Sequence, residues 1–140
     1  MKTDQPDQPG KTLNSKTRWA GRIISGLCTL FLLVDAIMKV VRASASVEGT
    51  ASLGFSDGMV QPMGLIILTF TILYSIPRTA VFGAVMLTAH LGGAVAIFIQ
   101  QFHDSFSFLF PLIFCVLLWA GLFLRDEKLR AIIPIRKQVQ

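Results

Sequence analysis

Asp35 and Lys39 stand four residues apart in the apolar run "LLVDAIMKV" (32–40). That spacing puts both side chains on one face of a helix, with the acid on the N-terminal side, the order that favours an ion pair. His90, in "LTAHLGG", is a third ionisable group inside an apolar run. Such groups are costly in a membrane span and are by default candidates for function. A carboxylate, an ammonium and an imidazole brought together can exchange a proton or hydrogen-bond a small polar or redox ligand. A purely structural reading stands beside this one. In it, Asp35 and Lys39 neutralise one another, Lys39 reaches for the surface, and His90 hydrogen-bonds across helices to hold a bundle together.

Other chemistries find less support. Cys28 and Cys115 fall in separate apolar runs without CxxC spacing, so they read as small buried hydrophobes, and no metal site is expected. Of two histidines, His103 falls in a loop, which leaves no pair for bis-histidine haem ligation within the membrane. No phosphate-binding, dinucleotide-binding, zinc or nucleophile motif occurs. Nothing therefore decides whether the chain is an enzyme.

The elements that must position these residues follow from composition. Of the 140 residues, 53% are hydrophobic and only 15% charged, and the mean hydropathy of +0.63 is too apolar for a soluble domain of this size. Four apolar segments, about 19–41, 59–76, 79–100 and 106–124, each come close to the ~20 residues that cross a bilayer as a helix. Helices are required because lipid offers backbone groups no partner. The predicted fold is an all-α, four-transmembrane-helix bundle over 18–134, between a disordered cytoplasmic tail, 1–17, and a short cytoplasmic tail, 135–140. Counting outward from Arg22 and Arg78, Asp35 lies roughly 20 Å deep, Lys39 roughly 25 Å and His90 roughly 18 Å. Asp35 and His90 can therefore meet if the first and third spans are neighbours.

Orientation is read from Lys and Arg. Of 13 basic residues, only Lys39 and Arg42 fall on one side, and the other eleven accompany the termini and the second-to-third turn. The positive-inside rule then makes both termini cytoplasmic. Arg22, Arg78, Arg125 and Arg130 are assigned to topology and lipid headgroups, so the net charge of +5 calls for no nucleic acid. The "ASA" at 43–45 resembles a signal-peptide cleavage site. Asp35, Lys39 and Arg42 before it make a retained span the better reading.

Between Arg42 and Gly58, Val47, Ala51 and Phe55 recur every four residues, the spacing of a short helix lying on the membrane surface. Trp19, Tyr74 and Trp119 fall at the cytoplasmic ends of spans, where an aromatic belt is expected. Ala80, Ala84, Thr88, Gly92 and Ala96 form an i+4 row of small residues, with Gly93 on a second face. Small rows let helix backbones approach, which places the third span at the centre of the bundle.

The stretches "GLCTLFLLVDAIMK", Leu53–Gly54, "LYSIPRTAVFGAVMLTAHLGGAVA" and "LWAGLFLRDEKLRAIIP" resemble the DoxX-like family of small bacterial membrane proteins. The resemblance implies four transmembrane helices in a bacterial inner membrane. Some members of that family are membrane subunits of sulfur-compound and quinone oxidoreductases. With Asp35, Lys39 and His90, this points to a membrane subunit supporting redox chemistry, its cofactor open with quinone as the candidate, and a membrane redox partner or a second copy of the chain as candidate associate. Where relatives tend to carry a histidine and an arginine after "GGAVA", this chain has Phe98 and Gln100. Two other functions fit the residues: a proton-coupled small-molecule carrier working through Asp35, or a structural or assembly protein binding through the small-residue row.

Overall fold

The computed structural model describes residues 15–102, 106–126 and 129. The tails expected at 1–17 and 135–140 fall largely or wholly outside these residues, as do His103 and Arg130. Five α-helices follow one another: α1 (Ser15–Val40), α2 (Ser44–Ser52), α3 (Val60–Ser75), α4 (Ala80–Gln101) and α5 (Leu109–Arg125). One-turn 3-10 helices, Asp57–Met59 and Phe106–Phe108, lead into α3 and α5. Four helices are long and apolar enough to cross a membrane: α1, Asp57–Ser75, α4 and Phe106–Arg125. Among the described residues there is no strand.

Local chemistry sets the helix ends. The third helix stops at Ser75 because Ile76, with ψ 121°, is extended, the conformation a residue before proline prefers. Across that turn, the Thr79 hydroxyl donates to the Leu73 carbonyl at 2.8 Å.

The crossing helices form a ring in which α1 and α4 each pack against α3 and α5 and lie diagonally opposite one another. The fourth helix is therefore a corner of the bundle and not its centre, and every crossing helix has two neighbours. The small-residue row explains the difference. An i+4 step overshoots one helical turn by about 40°, so the row coils around α4 instead of marking one face. Ala80 and Ala84 are buried, Thr88 is half-buried, and Gly92 and Ala96 are exposed.

The closest approaches are made elsewhere. A Cβ on Gly64 of α3 would sit 2.7 Å from Lys39 Cβ and 2.8 Å from the Val40 nitrogen of α1. One on Gly121 of α5 would sit 2.6 Å from Ser25 Oγ, and one on Gly83 of α4 would run into the Tyr74 backbone. Between helices surrounded by lipid, such close van der Waals packing is the main attraction.

Two of the three aromatics expected in the belt are turned inward. Tyr74 is 0% exposed. Its hydroxyl donates to the Leu118 carbonyl at 3.0 Å and shares a 3.1 Å hydrogen bond with Ser25 Oγ, tying α3 to both α5 and α1. The Arg125 guanidinium donates to the Tyr74 carbonyl at 3.0 Å and stands 5.1 Å from the ring centroid. Trp119 Nε1 donates to Thr88 Oγ1 at 2.8 Å, and only Trp19 is exposed. Position along a span gives depth, whereas rotation about the helix axis decides whether an aromatic meets lipid or a neighbour. Tyr74→Phe keeps the ring and removes both hydroxyl contacts, so it is expected to cost about 1–3 kcal/mol, read as a lower unfolding midpoint in detergent.

Candidate functional site

At the end of the bundle that carries α2, a cavity of about 520 Å³ opens between the crossing helices, within the roughly 300–1,000 Å³ usual for small-molecule sites. Asp35 and Lys39 line it from α1, and His90 lines it from α4. The close approach of Gly64 holds the Lys39 stem against α3. The ammonium donates to the Asp35 carboxylate, forming the ion pair expected from the spacing. The first and third spans are not neighbours, so the imidazole and the pair do not meet through helix packing. They face a shared interior from diagonal corners, which leaves room for a molecule among them.

The walls are mainly apolar. Phe31 of α1 stands 5.6 Å from Phe110 and 4.5 Å from Phe114 of α5, and those two rings are 5.0 Å apart. These distances are typical of favourable aromatic contacts and present ring faces and edges to a flat ligand. Phe98 extends the aromatic lining from α4. It stands where the resemblance implied histidine, so this chain has an apolar wall at that position. Gln100 is exposed.

The second helix roofs the cavity. The helix expected from Val47, Ala51 and Phe55 forms over Ser44–Ser52 and stops short of Phe55, and the face it gives to the cavity carries Ala45, Ser46, Gly49 and Thr50. Thr50 Oγ1 donates to the Ser46 carbonyl at 2.8 Å. Ser46 Oγ is the one buried side-chain polar atom without a hydrogen-bond partner among the described residues, a state that costs on the order of 1–3 kcal/mol. Sequence reasoning passed over this face because the large residues Val47 and Phe55 dominate the pattern. The available signal was the polar pair Ser46 and Thr50, also four residues apart.

The remaining candidates lie elsewhere. Arg22 and Arg125 line an open groove beside Ser25 and Ser75, and Arg78 is exposed at the turn between α3 and α4. Gly93 lines the cavity wall, while a Cβ on Gly92 would meet nothing within 4 Å. Among the described residues, no three His, Cys, Asp or Glu side chains are grouped closely enough to hold a metal ion.

Fold and cavity define a class: a multi-pass α-helical membrane protein whose crossing helices enclose a ligand-sized, mostly apolar space with a few polar groups at one end. Residues 23–121 match the sequence model of the DoxX-like family, and the chain belongs to that family. The match includes Asp35, Lys39, Ser46, His90 and every residue lining the cavity. No curated protein and no solved structure matches the chain.

Proposed function

We propose that the protein is a bacterial inner-membrane subunit, with both termini cytoplasmic, that binds a quinone-type molecule in this cavity and supports redox chemistry carried out with a partner dehydrogenase. One observation carries the reading: the Asp35–Lys39 pair and His90 converge from diagonal helices on a space walled by phenylalanines. The donor set fits such a ligand. An ammonium or imidazole N–H can donate to a quinone oxygen, a carboxylate can accept from a quinol hydroxyl, and the aromatic wall can pack on the ring. When bound, the quinone would accept electrons from the partner. The chain's own residues would hold the ring, exclude water and keep proton-bearing groups beside its oxygens.

Titration of purified protein with decylubiquinone, followed by calorimetry, tests the proposal. Lys39→Met and His90→Phe should each weaken binding about tenfold, or ~1.4 kcal/mol, near the net worth of one such hydrogen bond. Arg78→Gln, at an exposed turn, should leave binding unchanged. Absence of saturable binding to the wild type, or unaltered binding in both cavity variants, would overturn it.

The carrier reading draws less support, because the Asp35 carboxylate is already engaged by the Lys39 ammonium, whereas a carrier working through Asp35 needs that carboxylate for its cargo. An assembly role has one observation in its favour: the exposed small surface at Gly92 and Ala96, which can admit a helix of a second copy or another membrane protein.

A further inference from the structure

Two described residues adopt left-handed backbone angles, Arg42 with φ 55° and Gly54 with φ 86°, and they bracket α2. The left-handed region disfavours residues with a Cβ, so Arg42 holds an unfavoured backbone conformation just ahead of this nine-residue helix, and Gly54 adopts one freely just after it. The segment is fastened near both ends by exposed polar contacts. The Arg42 guanidinium donates to the Asp57 carboxylate at 2.7 Å, and the Gln101 side-chain amide donates to the Leu53 carbonyl at 3.3 Å. Exposed ion pairs of this kind contribute little and weaken with salt. On the cavity side, α2 itself presents only the small residues Ala45, Ser46, Gly49 and Thr50, and Leu53 at its C-cap is the one large side chain that the segment between Arg42 and Gly54 adds to the lining. Ser46 keeps a buried hydroxyl with no partner, and such a group in a folded protein calls for an explanation.

We propose that α2 is a hinged roof over the cavity and that Ser46 is a ligand-binding residue on its underside. The roof turns about Arg42 and Gly54 to admit a ligand, and the Ser46 hydroxyl then hydrogen-bonds a carbonyl or hydroxyl oxygen of the bound molecule. The role of Ser46 rests on the cavity being a ligand site. Motion of the roof does not require a ligand to be seen, so the two parts can fail separately.

The experiment uses the full chain with Cys28→Ala and Cys115→Ala, reconstituted in detergent. In this background, Ser46→Cys, a near-isosteric change, is labelled with a water-soluble maleimide, and the exposed Ser44→Cys on the same helix serves as reference. With the Arg42–Asp57 contact intact, the Ser46→Cys thiol should react at least tenfold more slowly than the reference. Adding Asp57→Asn should speed its labelling at least fivefold and leave the reference unchanged. Equal rates at the two positions, or indifference to Asp57→Asn, would overturn the roof. In a second arm, Ser46→Ala should weaken decylubiquinone binding several-fold while Ser44→Ala does not. Wild-type affinity in Ser46→Ala would remove Ser46 from the site. Loss of all quinone binding, in the wild type as well, would overturn the ligand assignment while the labelling arm still reports on the roof.

Discussion

Asp35→Asn is expected to destabilise the protein more than simultaneous replacement of Asp35 and Lys39 by Asn and Met. The single change leaves the Lys39 ammonium at the cavity with its counter-charge removed, its stem still held against α3 by Gly64. Lys39 stands in the last turn of α1, so the roughly 2.5–3.5 kcal/mol that an uncompensated lysine costs at the centre of a span is an upper bound here. A side chain so near the helix end recovers much of that by reaching the surface, so a loss of about 1–2 kcal/mol is expected. The double variant removes both charges and should regain most of the loss, because replacing an ion pair by neutral side chains of similar size is often close to neutral. Unfolding midpoints in one detergent give the comparison, and equal destabilisation of the single and double variants would mean that the two residues are not coupled. The same proteins separate fastening from function. If the pair only fastens the bundle, the double variant binds decylubiquinone as the wild type does. If Lys39 contacts the ligand, the double variant is stable and binds at least tenfold more weakly.

That coupling was legible in the sequence because it is local. Four-residue spacing along one helix places Asp35 against Lys39 whatever the rest of the fold does. The crossing helices were legible for a comparable reason: long apolar runs and the backbone's need for internal hydrogen bonds leave few alternatives. Counting residues along the spans brought Asp35, Lys39 and His90 to comparable heights, and the three do line one cavity. What depends on rotation about a helix axis was not legible. The inward turn of Tyr74, the coiling of the small row from Ala80 to Ala96, and the diagonal placement of α1 and α4 are set by contacts between segments far apart in the chain. The orphaned hydroxyl of Ser46 was not legible for the same reason: the four-residue spacing of Ser46 and Thr50 in "SASVEGTAS" marks a polar face, but not that this face will cover a cavity.

Gly83 and Gly92 lie on the same helix, and the same substitution at each is expected to act with opposite sign. In an ordinary helix interior, alanine is favoured over glycine by roughly 0.8–1 kcal/mol. At Gly92 a new Cβ meets no atom within 4 Å, so Gly92→Ala should be neutral to stabilising by up to about that amount. At Gly83 the Cβ would run into the Tyr74 backbone, which cannot turn aside as a flexible side chain does. The α3 and α4 backbones must move apart beside Tyr74, the residue whose hydroxyl joins α1, α3 and α5. Overpacking of this kind costs about 1–3 kcal/mol, at times more, so Gly83→Ala should lower the unfolding midpoint well below that of the wild type. A midpoint at or above wild type would show that α3 and α4 are not in such close contact. Gly92→Leu extends the comparison to the assembly reading. It leaves the isolated bundle folded, because the site is open. If α4 uses its exposed small surface to meet a second copy, size-exclusion chromatography with light scattering should show Gly92→Leu shifted to a smaller species, while Lys39→Met keeps the wild-type size. Identical sizes for all three proteins would assign the small residues at this end of α4 to lipid contact, and the cavity would then carry the functional reading alone.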